Sequence, residues 1–173
     1  IENCWTEGEM DSPVRHLGGI AGHNTGEIAA CYTTATLKSR GDQNDVYVGG
    51  IAGYTESGGI ASSAVLSARI SGPGFTGGIA GGGDGGIVDC AWWTGLAQVS
   101  GPVGDGGATT QRTAPYSFTG SGWRAHWPSP LTQSPWQLEG DDNEPGSLPV
   151  LNGVAERKDL PTWILSQEQV DLI

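Results

Sequence analysis

The segment Gly18-Gly19-Ile20-Ala21-Gly22-His23-Asn24-Thr25-Gly26-Glu27-Ile28-Ala29-Ala30-Cys31-Tyr32 opens with a pentamer that returns unchanged at 49–53 and again at 77–81. Each copy leads through a Gly-containing turn to a second Ile, pairing Ile20 with Ile28, Ile51 with Ile60 and Ile79 with Ile87. Three residues further on lie Cys31, Ser63 and Cys90, and the same frame run backwards meets Ile1 and Cys4. A repeat of this length marks an array in which each unit buries its apolar side only against the next unit.

The repeats sit in a glycine-rich half. Of 30 Gly in the 173-residue chain, 25 fall within residues 1–107, whereas seven of the ten Pro and four of the seven Trp lie beyond. A helix pair does not suit that half, because each interior Gly costs a helix about 1 kcal/mol relative to Ala. One coil of a β-solenoid does. The expected fold is all-β: a parallel β-solenoid of about three to four coils over residues 1–107, an irregular Trp-rich C-terminal cap over 108–154, and a tail, linker or start of a following domain over 155–173. Ile20, Ile51 and Ile79 should form one buried ladder, Ile28, Ile60 and Ile87 a second, and Cys4, Cys31 and Cys90 a third row of small inward side chains. About three short strands per coil are expected, near Gly19–Ala21, Ile28–Cys31 and Ala35–Leu37, with glycines supplying positive-φ corners and close backbone approach. The three-residue step from Ile28 to Cys31 requires a bend, since residues three apart on a straight strand face opposite sides. The middle repeat is longer by four residues, best placed in the polar stretch Lys38–Asp45.

The pattern Gly-Gly-Ile-Ala-Gly-x-Asn-x-Gly-x-Ile-x-x-Cys-Tyr at 18–32 resembles the GLUG repeat of bacterial surface and secreted proteins, including adhesin-like proteins and the non-catalytic parts of some IgA-cleaving metallopeptidases. The copy at 49 lacks the Asn and carries Ser63 for Cys, and the copy at 77 has Gly83 for Asn. Tyr116–Phe118, Trp123, Ser134-Pro135-Trp136 and Leu148-Pro149-Val150-Leu151 are similar to the endings of such arrays. The resemblance spans about residues 1–154, is specific for the repeat type and implies an extracellular or cell-surface module of a kind that travels between proteins of different activity.

The remaining chemistry is sparse. Eight Lys and Arg against 19 Asp and Glu give a net charge of −11, which opposes nucleic acid and anionic membranes. No apolar run reaches the ~20 residues of a spanning helix, so direct membrane insertion is not expected. The zinc-protease pattern His-Glu-x-x-His is absent, and His16, His23 and His126 are scattered, two of them beside the pentamer, where solvent-facing turns are expected. The three Cys can be stacked core thiols, a Cys4–Cys31 disulfide, or a nucleophile that has no neighbouring His or basic cluster. Asp141, Asp142, Asn143 and Glu144 form a cluster that calcium would accept or that is simply a solvated loop. Ser166 and Gln169 have capping-box spacing before Val170 and Ile173. Trp92, Trp93 and Trp127 are the candidate ligand contacts, because aromatic rings stack on sugars, while Trp residues at the end of an array also serve to cover its last coil. No catalytic residue, metal ligand or cofactor is assigned.

The expected function is therefore a non-catalytic extracellular module of a bacterial surface or secreted protein, acting as an adhesive platform or structural spacer. The alternative is a carbohydrate-binding or carbohydrate-cleaving β-helix using exposed Trp and carboxylates. The chain begins at Ile1, part-way through a repeat, and reads as a piece of something longer. An upstream segment or partner chain is expected over its N-terminal edge, with a host or cell-surface glycan or protein as ligand.

Overall fold

The Gly-Gly pairs dictate how close the coils come. In the computed structural model, which describes residues 1–42, 44–99, 101–118, 122–141, 146–154 and 158–165, a Cβ on Gly18 would lie 2.6 Å from the Cα of Ala52, and one on Gly49 would lie 2.5 Å from the Cα of Ala80. Only glycine fits there. The backbone of one coil then hydrogen-bonds to the next, with Ile20 N–H donating to Ile51 O at 2.9 Å and Ile51 N–H to Ile79 O at 2.8 Å.

The result is a parallel β-solenoid. Its first coil runs through β1 (Trp5–Thr6), β2 (Glu9–Ser12), β3 (His16–Gly18), β4 (Ala21–Asn24) and β5 (Glu27–Ala29). The second follows as β6 (Tyr32–Thr33), β7 (Thr36–Ser39), β8 (Tyr47–Gly49), β9 (Ala52–Thr55) and β10 (Gly59–Ala61). The third comprises β11 (Ala64–Val65), β12 (Ile70–Ser71), β13 (Phe75–Gly77), β14 (Ala80–Gly83) and β15 (Gly86–Val88). A shortened fourth coil holds β16 (Ala91–Trp93), β17 (Thr109–Gln111) and β18 (Ala114–Tyr116). Each complete coil thus has five strand positions rather than three, because the polar stretches between the Ile landmarks also pair with the coil beside them. The composition change at residue 107 falls inside the fourth coil: β17 and β18 continue the sheets begun by β5 and β1. Ser12 pairs with Ser39 and His16 with Tyr47, which puts the extra residues of the second coil between Ser39 and Tyr47.

In-register pairing stacks Ile28, Ile60 and Ile87, all buried, at one level of the core. Ile51 and Ile79 are fully buried beside them, whereas Ile20, in the first coil, is only partly covered. Ile1 and Cys4 are exposed for the same reason. Trp92, Leu96 and Val103 close the other end of this core.

The bend after the second Ile is not made by glycine. Asn3, Ala30, Ser62, Asp89 and Arg112 occupy it with φ of 53°, 49°, 50°, 53° and 46°, a left-handed conformation that costs an L residue about 1 kcal/mol or more. The next residue holds the corner by donating to the carbonyl two residues back: Cys31 to Ala29 O at 3.2 Å, Ser63 to Ala61 O at 2.9 Å, Cys90 to Val88 O at 3.3 Å and Thr113 to Gln111 O at 3.0 Å. Thiol and hydroxyl are interchangeable here because each supplies one donor on one carbon.

The Trp-rich segment lies along the flank of the solenoid and not over its last coil. Alternation in the β1–β6–β11–β16 sheet sends Thr33, Val65 and Trp92 inward and Tyr32, Ala64 and Ala91 outward. On that outer face pack Phe118, Trp123, Trp127, Leu131, Trp136, Leu138, Leu148, Leu160 and Ile164 as a second core. Its polar pins reach several coils: Trp136 Nε1 donates to Asn3 Oδ1 at 3.0 Å, Tyr32 Oη to Pro149 O at 2.9 Å and Trp163 Nε1 to Leu66 O at 2.9 Å. Of the acidic cluster only Asp141 is among the described residues, and the capping-box residues Ser166 and Gln169 lie outside them.

Removing a fully enclosed rung should cost more than removing a terminal one. Ile51→Ala is expected to lose about 2–4 kcal/mol in equilibrium denaturation. Ile20→Ala should lose clearly less, and equal losses would contradict this layout.

Candidate functional site

The tight arch from β3 to β4 repeats in every full coil, and its glycines let two sheets lie almost backbone to backbone. A Cβ on Gly53 would sit 2.5 Å from Leu17 N, and one on Gly81 2.6 Å from the carbonyl carbon of Tyr47. With Leu17 and Val48 turned into the core, the residues before them turn out. Register therefore aligns His16, Tyr47 and Phe75 on one side of the arch, and His23 with Tyr54 on the other.

These five rings form one ridge. Tyr47 and Phe75 stack with centroids 5.1 Å apart, His16 and Tyr54 stack at 5.3 Å, and His16 meets His23 edge-on at 5.2 Å. Tyr47 and Tyr54 close the set at 5.0 Å. Phe75 remains 39% exposed, and His23 is exposed as well. The row brings ring edges from three coils together at the surface, with His16, Tyr47 and Tyr54 partly exposed.

Charged groups frame the ridge. His23 Nε2 lies 3.1 Å from Glu56 Oε2, and Arg15 pairs with Asp45 at the His16 end. Tyr47 leans over Gly82, beside Asp105, whose Oδ2 accepts the Gly83 N–H at 3.1 Å. Burial among its neighbours, followed by the charges of His23 and Arg15, holds His16 below the ordinary histidine range, against the weaker opposing pull of Asp45. Desolvation, then Tyr47 and the carboxylates of Asp84, Asp105 and Glu56, push the Tyr54 phenol up.

The residues expected to carry function lie elsewhere. Trp92 and Trp127 are 7% and 4% exposed and belong to the two cores, which removes them as an open stacking surface. Trp93 is partly buried between those cores. His16 and His23 belong to strands rather than the expected turns, and their rings meet edge-on although they are separated in sequence. Among the described residues no group of three or more His, Cys, Asp or Glu is arranged to hold a metal. Cys31 and Cys90 are buried with thiols pushed by burial to about 11 and about 12, whereas Cys4 is exposed. All three are free thiols. Compared with known proteins, the chain matches no family model, no curated protein and no solved structure.

Two outcomes follow from this geometry. A thiol reagent at pH 8 should modify Cys4 in the native protein and reach Cys31 and Cys90 only on unfolding; rapid native labelling of all three would contradict the burial. Because folding lowers the His16 pKa, its contribution to stability is complete above the unfolded value of about 6.5 and is lost as pH falls through the folded one. An NMR titration should place the His16 midpoint below the free-histidine value, and Tyr54→Ala should move it back upward.

Proposed function

We propose that this chain is a non-catalytic, extracellular β-solenoid module of a bacterial surface or secreted protein, acting as an adhesive platform whose contact surface is the ring ridge. The observation that carries this reading is the ridge itself. Five rings from three coils occupy one outward arch, where nothing in the core or the flank requires them. The resemblance of residues 18–32 to GLUG repeats supports the surface location, and the acidic exterior favours solubility.

In this role the solenoid is a spacer as well, since in-register coils give a stiff surface of fixed pitch. An upstream segment or partner chain covers the N-terminal edge. That proposal draws its support from β2, β3 and β4, each of which pairs on one side only among the described residues, and from the half-covered Ile20 and Met10. An open edge of this kind is a template for a further strand.

The ridge is tested by the double variant Tyr54→Ala with Phe75→Ala. Both side chains are partly exposed, so the fold should survive. Binding to host-cell or glycan surfaces is expected to fall by about tenfold or more, in line with the weight aromatic anchors carry at interfaces. Undiminished binding by a variant with native circular dichroism would sink the proposal. Reducing-end assays on the same glycans should register no cleavage.

A further inference from the structure

Between the corner row and the flank segment lies a cleft of about 290 Å³. Ser62, Asp89 and Arg112, three consecutive left-handed corners, line one wall, and His126 with Trp127 lines the other, with Tyr116 between them. Three features separate this stretch of the corner row from the rest.

The first is the side-chain chemistry. Earlier corners carry Asn3 and Ala30, whereas here the row turns to an acid and then to arginine, a residue that a left-handed backbone disfavours. Arg112 donates from Nε to Asp89 Oδ1 and from Nη2 to Oδ2, the latter at 2.7 Å. The pair is exposed to solvent and internally neutral, and Nη1 has no partner among the described residues. The second is an aromatic wall: Tyr116, 40% exposed, stacks on His126 with centroids 5.3 Å apart. The third is an unmet demand. Trp127 is almost wholly buried, and its Nε1 finds no acceptor among the described residues. Buried polar groups without partners are rare, and each asks for an explanation.

A ligand that suits the first two offers several hydroxyl groups for the donor–acceptor fork, a flat C–H face for an aromatic ring, and no net charge. It is also small, because the cleft sits at the lower end of the size range of ligand sites. We propose that this cleft binds a single neutral pyranose residue, with Tyr116 as its stacking surface and the Asp89–Arg112 pair holding its hydroxyls. A free monosaccharide and the terminal residue of a glycan share this chemistry. The inference goes beyond the adhesive reading and rests on none of the ridge residues, so loss of ridge binding leaves it standing.

The test is ¹⁵N-resolved NMR of the whole chain titrated with the methyl glycosides of glucose, galactose, mannose and N-acetylglucosamine, and with a neutral tetrasaccharide ending in each. At least one methyl glycoside should give saturable shifts at residues 89–91, 112–116 and 125–130. Its dissociation constant should rise about tenfold or more in Tyr116→Ala and in Arg112→Gln, while a change at the exposed Val14, Val14→Ala, leaves it unchanged. A tetrasaccharide that binds more tightly identifies a glycan end as the source, and equal affinity identifies the free sugar. Absence of shifts with every methyl glycoside, or wild-type affinity in a natively folded Tyr116→Ala, would overturn the proposal.

Discussion

Everything in this molecule depends on how closely one backbone can pass another. The hydrogen bonds from Gly19 to Gly50 at 3.0 Å and from Gly78 to Gly101 at 2.9 Å join successive coils at the point where the chain turns most sharply. A side chain on Gly19 or Gly50 would occupy the space of the neighbouring backbone, and one on Gly78 would meet the Trp92 ring. Because the turn is fixed there, the residues on either side inherit their direction. Leu17 and Val48 go in, and His16 and Tyr47 go out.

That single constraint produces two surfaces of different character. On the arch, adjacent coils present rings that meet one another and otherwise meet water. On the sheet that starts at β1, alternation places Tyr32, Ala64 and Ala91 outward, and the small alanines leave a shallow bed into which Trp123, Trp127 and Trp136 settle. Tyr32 is buried there, and burial holds its hydroxyl well above the ordinary tyrosine range while the hydroxyl donates to Pro149. The Asp11 carboxylate shows the opposite balance on the surface: its hydrogen bond to Arg40 of the next coil, 2.5 Å long, holds it below the usual range.

The solenoid was legible because its rungs recur as identical letters, Ile over Ile in a constant frame. The bend after Ile28 could be read from a spacing that no straight strand satisfies. The Cys31, Ser63 and Cys90 row that holds the bend recurs in the same frame, but the left-handed position before it could not be read, since Asn3, Ala30, Ser62, Asp89 and Arg112 share no property visible in a sequence. The ridge carried a faint trace. His16, Tyr47 and Phe75 each stand two residues before a Gly-Gly pair, and His23 and Tyr54 each follow the pentamer directly. These residues share planarity but not polarity, so hydropathy does not mark the position. The destination of the Trp residues was hidden for a different reason: a segment without periodicity says how much apolar area it must bury but not against which face.

The pins from Trp136 to Asn3, from Pro149 to Tyr32 and from Trp163 to Leu66 alter the mechanical character of the array. A stack in which each coil touches only its neighbours can fray from either end, one coil at a time. Here a strap sewn to the first, second and third coils spans the stack lengthwise, so peeling off the first coil also breaks contacts made by residues more than a hundred positions away. The strap turns a row of springs in series into a splinted rod, and a load applied at the first coil is shared with the second and third.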